Sequence, residues 1–170
     1  LKSKIILISG PTASGKSKAA LKIAKKLNGE IINADSMQVY KELNILTARP
    51  SKTDLNKINH HLYGFRSVKK EFSSGEWLKL AKKNIKKIRD KNKIPVLVGG
   101  TGLYFKALTD GLVKIPKIPI SVRDKIRRMQ NKLGQKKFYL KLLNNDPLVK
   151  NKIAPADVQR SIRAYEVIKF

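Results

Sequence analysis

Residues 10–17 limit the fold of this chain more narrowly than any other segment. They read Gly-Pro-Thr-Ala-Ser-Gly-Lys-Ser and match the phosphate-loop pattern G-x-x-x-x-G-K-[ST] at every defined position. Apolar residues 5–8 come before the loop and a helical pattern comes after it, which is the strand–loop–helix context that this motif requires. The segment therefore predicts a parallel α/β sheet with an anion site at one edge.

The residue types of this loop explain why it would bind a polyphosphate. Glycines let the backbone curl so that consecutive N–H groups face one anion, and the following helix adds the positive end of its dipole. Lys16 supplies a charge for the terminal phosphate, and the Ser17 hydroxyl is the predicted Mg²⁺ ligand. A glycine-rich turn that binds nothing is the alternative. The predicted diphosphate- or nucleotide-binding residues are Gly10, Pro11, Thr12, Ala13, Ser14, Gly15, Lys16 and Ser17.

Length and composition narrow the class of protein further. A chain of 170 residues can form one ordinary domain with a small insertion. The sequence contains no cysteine, which excludes a disulfide scaffold and a cysteine metal site. Its apolar runs are only strand-length and no signal-peptide pattern precedes the first strand, so we expect a cytoplasmic protein without a membrane partner.

The charge of the chain is extreme for a metabolic enzyme. There are 38 lysines and arginines against 12 acidic residues, a formal net charge of +26. A field of this size attracts polyanions, of which nucleic acid is the usual one. An AT-rich coding bias, which favours lysine, asparagine and isoleucine codons, is the competing explanation.

Hydrophobic spacing predicts strands that alternate with helices along most of the chain. Buried strands are expected at residues 4–9, 30–34 and 94–98, a short strand at 60–65, and helices at 17–27, 51–58 and 73–88 and from 103 onward. This order favours an α/β fold, namely a P-loop NTPase-like parallel sheet flanked by helices, with a small helical insertion domain.

The character of the sequence changes after residue 112. We expect a core domain at residues 1–112, a basic helical insertion at 113–155, and a helix at 156–170 that returns to the core. Pro116 and Pro119 bracket the linker into the insertion. Arginine and lysine are dense in the insertion, so it is the part expected to face a nucleic acid.

Asp35 stands where the second predicted strand ends. In an open α/β sheet ligands bind at the carboxyl ends of the strands, so Asp35 should lie near the phosphate loop. Thr101, in the Gly-rich turn after the strand at 94–98, should face the same cleft, and this turn has no carboxylate suited to hydrolysis. We therefore expect group transfer, with Asp35 accepting a proton from the acceptor. The alternative is that Asp35 only caps the turn through the N–H groups of Ser36 and Met37.

Four segments taken together resemble the tRNA dimethylallyltransferase family. They are residues 10–17, Asp-Ser-Met-Gln-Val-Tyr at 35–40, Gly-Gly-Thr-Gly-Leu-Tyr at 99–104 and Asp-Val-Gln-Arg-Ser-Ile-Arg-Ala-Tyr-Glu-Val at 157–167. They occur in order over nearly the whole chain. The resemblance implies transfer of a dimethylallyl group from its diphosphate to the exocyclic N6 of an adenine. That adenine lies 3′-adjacent to the anticodon in tRNAs that read codons beginning with U.

The resemblance also implies roles for individual residues. Residues 12–17 would hold the leaving diphosphate together with Mg²⁺, rather than perform ATP hydrolysis. Asp35 would accept the N6 proton, and Thr101 would hydrogen-bond the oxygen that bridges carbon and phosphorus. Either Arg160 or Arg163 could reach the diphosphate instead of tRNA. The implied contacts to the tRNA anticodon stem-loop are Asp35, Ser36, Met37, Gln38, Thr101, Arg123, Gln159, Arg160, Ser161, Ile162 and Arg163.

The sequence also departs from this family. Tyr63 and Gly64 stand in a loop where many relatives carry an acidic residue. Family members are considerably longer, so we expect the chain to be truncated after Phe170, and we expect a monomer. Three other functions stay open: a small-molecule kinase that uses Asp35 on a hydroxyl, a prenyltransferase of free adenine nucleotides, and a catalytically silent tRNA-binding remnant.

Overall fold

The computed structural model describes residues 4–113, 115 and 117–170, and of Lys52 only the backbone. Contacts between Cα atoms divide the chain into two compact units, Leu1–Leu112 and Val113–Phe170. The division falls at the predicted end of the core domain. Pro116, part of the predicted linker, lies outside the described residues.

The first unit is built on a parallel sheet of four strands. The strands are β1 (Ile6–Ser9), β2 (Gly29–Asn33), β3 (His60–His61) and β4 (Ile94–Gly99). Their order across the sheet is β1-β4-β2-β3, and every neighbouring pair is parallel. The carboxyl ends of parallel strands share one edge. The phosphate loop, Asp35 and Thr101 all follow strands at that edge.

Helices cover both faces of this sheet. They are α1 (Lys16–Lys26), α2 (Lys52–Lys57), α3 (Ser74–Asp90) and α4 (Gly102–Thr109), with a short 3₁₀ turn at Lys41–Leu43. Ala20 and Ala24 of α1 pack onto one face of the sheet, while Trp77 of α3 and Tyr104 of α4 are buried on the other. The resulting three layers confirm the predicted α/β class.

Side-chain caps explain where two of the helices begin. Ser73 accepts a hydrogen bond from the Glu76 N–H while the Glu76 carboxylate accepts one from the Ser73 N–H, a reciprocal capping box at the start of α3. Ser51 caps α2 by accepting from the Asp54 N–H. Both helix starts lie where the sequence predicted them.

The prediction of a fully buried first strand is wrong. Within the described sheet β1 is an edge strand, paired only with β4, and 41% of Leu7 is exposed. An apolar run of four residues indicates a strand covered on both faces. Strand order depends on distant parts of the chain, which a local apolar run does not contain.

The second unit is helical and has a core of its own. It consists of α5 (Ile120–Asn145), a 3₁₀ turn at Pro147–Asn151 and α6 (Val158–Ile168). Gly134 interrupts α5 with non-helical angles, φ 71° and ψ 162°. The part of α5 after this break buries Phe138 against Tyr165 of α6. The return of residues 156–170 to the core domain stays a prediction. Among the described helices, none is both long and apolar enough to cross a membrane.

A buried carboxylate ties the amino-terminal end of β2 to its surroundings. Only 1% of Glu30 is exposed. Its side-chain partners, at 2.7 to 3.6 Å, are His61, Lys93, Asn59 and Lys91. Burial by itself raises the pKa of Glu30, but these hydrogen bonds and positive charges outweigh it and lower the pKa from 4.5 to about 2.

This lowered pKa predicts how stability depends on pH. Because the folded pKa lies below the unfolded value, the stabilisation is complete above about pH 4.5 and is lost as the pH falls towards about 2. We expect Glu30→Gln to lower the free energy of unfolding by about 3 kcal/mol at neutral pH, and by much less near pH 2. Urea unfolding at both pH values measures this, with Asp90→Asn on the exposed end of α3 as the control. An equal loss at both pH values would contradict the assignment.

Candidate active site

The phosphate loop has the backbone geometry of an anion nest. Ala13 and Gly15 both have positive φ angles, 64° and 78°, which turn the chain sharply before α1 begins at Lys16. The N-cap of α1 is Gly15, a residue with no side chain to occupy the first N–H groups of the helix. Those groups and the positive end of the helix dipole are therefore available to a phosphate.

Lys16 folds back over this loop. Its ammonium group donates a hydrogen bond to the carbonyl oxygen of Pro11 at 2.8 Å. This contact holds the positive charge at the loop, where an incoming diphosphate could replace the carbonyl as its partner. An ion pair with a phosphate is stronger than a hydrogen bond to a neutral carbonyl, so the exchange would favour binding.

Asp35 is the second residue after β2, and the two oxygens of its carboxylate have different environments. Oδ1 accepts a hydrogen bond from the Met37 N–H at 2.9 Å, so Asp35 does cap the turn that follows it. Oδ2 lies beside Gly100, where a Cβ would stand 3.7 Å from it. The capping bond uses one oxygen and fixes the orientation of the group, which leaves the second oxygen for a substrate.

The phosphate loop and Asp35 line one cavity. This cavity has a volume of about 640 Å³, and residues 12–17 of the loop line it together with Asp35, Met37 and Gln38. The side chains of Leu43, Leu46 and Val98 add apolar surface. The cavity therefore combines an anion nest, a carboxylate and an apolar wall.

Comparison with known proteins assigns the family. The IPP transferase family model matches residues 38–170, which is most of the chain. The chain belongs to the IPP transferase family. A tRNA dimethylallyltransferase of Pelagibacter ubique is 65% identical over 168 residues, covering 99% of this chain and 54% of that protein. One of Rickettsia massiliae is 50% identical over 163 residues, covering 96% and 45%. The chain thus spans about half the length of these curated relatives.

Solved structures of the family agree with the fold. A eukaryotic dimethylallyltransferase acting on tRNA matches with a TM-score of 0.79 and 31% identity, over 95% of this chain and 40% of its own. The tRNA isopentenylpyrophosphate transferase of Bacillus halodurans matches with a TM-score of 0.65 and 36% identity, over 99% and 56%. The parallel sheet, its flanking helices and the phosphate loop confirm the predicted P-loop NTPase-like fold.

Thr101 joins two loops of the site. Its hydroxyl oxygen accepts a hydrogen bond from the Ser36 N–H at 2.9 Å, and the hydroxyl donates to Ser36 Oγ at 3.2 Å. Neither residue is among the described residues that line the cavity. A contact from Thr101 to the bridging oxygen of a donor, which stays a prediction, would require the hydroxyl to turn away from Ser36 Oγ.

Gln38 organises the loop that closes the apolar side of the cavity. Its side-chain amide donates to the carbonyl oxygen of Thr47 at 2.7 Å, and the backbone carbonyl oxygen of Gln38 accepts from the Gly64 N–H at 2.9 Å. This ties the segment around the 3₁₀ turn to the chain beyond β3. The predicted contact of Gln38 with a tRNA base stays a prediction.

Tyr63 is a cavity residue that sequence reasoning did not select. It lines the same cavity as Asp35. Burial, together with the charge of Asp35, raises the pKa of Tyr63 well above its usual value, so its hydroxyl stays protonated. Its sequence context is a short strand followed by a loop, which contains no signal for a cavity position.

The other predicted tRNA contacts lie in the second unit. Gln159, Arg160 and Arg163 are exposed on α6. Ser161 is fully buried, and its hydroxyl donates to the Asp157 carbonyl at 2.6 Å. The half-buried Ile162 packs against the core of this unit. Ser161 and Ile162 thus hold α6 in place here, and their contact with tRNA stays a prediction.

An ionic cluster connects two of the predicted tRNA arginines. Glu166 is 2% exposed, and its carboxylate lies 2.9 Å from Arg163 Nη1 and 3.6 Å from Arg123 Nε. These contacts orient both guanidinium groups from one buried anion. The contact of Arg123 and Arg163 with tRNA stays a prediction.

The described part of the chain holds no preassembled metal cluster. Within residues 4–113, 115 and 117–170, no group of three or more His, Cys, Asp or Glu side chains is placed to hold a metal ion. His61 contacts Glu30, and His60 Nδ1 lies 2.8 Å from the Ile58 carbonyl oxygen. A site for Mg²⁺ would therefore rest on Ser17 together with oxygens that a ligand brings.

Proposed function

We propose that this chain is part of an enzyme that transfers a dimethylallyl group from dimethylallyl diphosphate to tRNA. The acceptor is the exocyclic N6 of the adenine 3′-adjacent to the anticodon, in tRNAs that read codons beginning with U. Membership of the IPP transferase family supports the proposal. The observation that carries it is the cavity that the phosphate loop and Asp35 line together.

The donor would bind with its diphosphate in the loop. The N–H groups of residues 12–17 and the Lys16 ammonium would hold the phosphate oxygens, and the apolar side chains of Leu43, Leu46 and Val98 would contact the five-carbon group. The diphosphate is the leaving group. Its negative charge grows as the carbon–oxygen bond breaks. Hydrogen bonds and positive charges that bind it more strongly in the transition state than in the bound donor lower the barrier to transfer.

The reaction exchanges one bond for another. The carbon–oxygen bond of the donor breaks, a carbon–nitrogen bond to N6 forms, and the proton of N6 passes to Oδ2 of Asp35. The diphosphate leaves with the electron pair of the broken bond. Since Oδ1 of Asp35 is occupied by the Met37 N–H at 2.9 Å, the carboxylate is held in one orientation for this transfer.

The residues present fit Mg²⁺ as a cofactor. The Ser17 hydroxyl, at the start of α1, would supply an oxygen ligand, and oxygen is the donor type that Mg²⁺ prefers. Bound there with the diphosphate oxygens, Mg²⁺ would neutralise part of the negative charge that develops on the leaving group.

The proposed partner is the anticodon stem-loop of a tRNA. The formal charge of +26 supports binding to a polyanion. Gln159, Arg160 and Arg163 of α6, with Arg123 of α5, would contact the RNA from the second unit. Ser36, Met37 and Gln38 would contact the flipped adenine, which costs little to extract from a single-stranded loop. We expect a cytoplasmic monomer.

Isotope transfer from a labelled donor tests this function. Incubation with labelled dimethylallyl diphosphate and a tRNA anticodon stem-loop should label the RNA, whereas adenosine monophosphate should stay unlabelled. Transfer of the γ-phosphate of ATP to a small molecule would instead indicate a kinase. Salt-sensitive tRNA binding without any label transfer would indicate a silent binding remnant. The same assay can be run on a chimera that supplies the rest of the longer protein. In it, residues 1–170 of this chain replace the matching part of the Pelagibacter ubique relative.

The contact between Thr101 and Ser36 makes a further prediction. Thr101→Val keeps the shape of the side chain but removes the hydroxyl that joins the two loops. We expect kcat to fall by about tenfold while KM for the donor changes by less than about threefold, because the loop that holds the diphosphate is untouched. Thr109→Val is the control, because Thr109 is the last residue of α4, the helix that Thr101 precedes. An unchanged kcat with a raised KM for the donor would argue against this role.

A further inference from the structure

The side chain of Asn33 holds the backbone of Asp35 from both sides. Asn33 is the last residue of β2 and is fully buried. Its Oδ1 accepts a hydrogen bond from the Asp35 N–H at 2.9 Å, and its Nδ2 donates to the Asp35 carbonyl at 2.9 Å. Both backbone polar groups of Asp35 are therefore bound by one buried amide.

The same amide also holds the opposite segment of the site. Asn33 Nδ2 donates a further hydrogen bond to the carbonyl oxygen of Leu62 at 3.0 Å. Leu62 has a φ of 64°, a left-handed conformation that is unfavourable for a residue with a side chain. The next residue is Tyr63, which lines the cavity with Asp35. One side chain thus fixes two positions of the cavity wall.

We propose that Asn33 is a positioning residue, which orients the Asp35 carboxylate for proton transfer through these three hydrogen bonds. The inference rests on the proposed function. Asn33 is not among the described residues that line the cavity, so it acts through Asp35 and Leu62 and not on the substrate.

The surroundings of Asn33 are rigid enough to transmit this restraint. The indole Nε1 of Trp77 donates to the Asn33 carbonyl oxygen at 2.8 Å. Trp77 in turn stacks on Tyr104, with ring centroids 4.2 Å apart and an angle of 10° between the planes. Asn33 is therefore anchored to the core through its backbone while its side chain holds the loop.

The Asn33 amide holds the part of the site around Asp35 and leaves the phosphate loop untouched. None of the three hydrogen bonds of the Asn33 amide reaches the phosphate loop. Misplacement of a catalytic group by about 1 Å can cost about 10²-fold in rate. Loss of the amide should therefore reduce kcat and leave binding of the diphosphate nearly unchanged.

Substitution of Asn33 tests the inference by the division between kcat and KM. We expect Asn33→Ala to lower kcat by about 10- to 100-fold with KM for dimethylallyl diphosphate within about threefold of the wild type. Asn33→Ser should recover part of the lost kcat, since a hydroxyl forms the same turn bond to the residue two positions on, although more weakly. If Asn33→Ala does not fold, Asn33→Ser takes its place in the same comparison of kcat and KM. Ile31→Val, on the same strand, is the control for lost packing.

Amide hydrogen exchange gives a readout that does not depend on turnover. The Asp35 and Met37 N–H groups should exchange about tenfold faster in Asn33→Ala than in Ile31→Val, because one bonds to Asn33 and the other to the Asp35 carboxylate. Unchanged exchange, or a loss of kcat no larger than in the control, would overturn the inference. If the chimera with the Pelagibacter ubique relative, carrying Asn33, never transfers the prenyl group, the proposed function is overturned instead. Exchange then still decides whether Asn33 holds Asp35.

Discussion

Asp35→Asn should lower the kcat for prenyl transfer by about 10² to 10⁴-fold while the Kd for tRNA changes by less than about threefold. Asparagine keeps an oxygen that can accept the Met37 N–H, so the turn is preserved. It cannot take the N6 proton of adenine. Single-turnover transfer from labelled dimethylallyl diphosphate measures the rate, and a binding titration with the anticodon stem-loop measures affinity.

The matched control for this variant is Asp90→Asn. Asp90 is an exposed carboxylate at the end of α3 and does not line the cavity, so this variant makes the same change of charge away from the site. We expect it to retain wild-type turnover. A large loss of tRNA affinity with a modest loss of kcat in Asp35→Asn would show that Asp35 binds RNA rather than accepts a proton.

Gly99→Ala should strongly destabilise the protein, because Gly99 lies against the backbone that follows β2. A Cβ on Gly99 would overlap the backbone carbon and oxygen of Ala34 and would stand 2.7 Å from the Asp35 nitrogen. These are backbone atoms of the neighbouring strand end, so they cannot move aside as a flexible side chain could. We expect a loss of about 3 kcal/mol or more in the free energy of unfolding, measured by urea denaturation.

Gly102→Ala provides the comparison, because a Cβ there has no neighbouring atom within 4 Å. Gly102 begins α4, where alanine is a good helix former. Its free energy of unfolding should stay within about 0.5 kcal/mol of the wild type or rise slightly. Equal stability of the two variants would mean that β2 and β4 are farther apart at this edge than the structure shows.

Local signals account for what could be predicted. The phosphate loop is a contiguous motif of eight residues, and the first helix begins within it at Lys16. Ser73 and Glu76 are three residues apart and cap α3 without help from the rest of the chain. The position of Asp35 at the edge of the sheet followed from one rule about parallel strands.

Other features of the site were not predictable because they join residues far apart in the sequence. The hydroxyl of Thr101 bonds Ser36, 65 positions away. The amide of Asn33 bonds Leu62, 29 positions away. The sequence did contain one signal for Asn33. It is a polar residue inside a buried strand, and such a residue needs hydrogen-bond partners. The break of α5 at Gly134 could likewise have been suspected from a glycine inside a helical pattern.

The sequence by itself determined the chemistry that the site can offer, an anion nest and a nearby carboxylate. Both belong to short segments whose conformation is set by residues within the segment. Only the tertiary structure decided that these segments share one cavity of about 640 Å³, and that Leu7 lies at an exposed edge. It also decided which polar atoms hold Asp35 in place. The reason is that strand order and buried hydrogen bonds minimise the free energy of the whole chain, and no local segment contains that information.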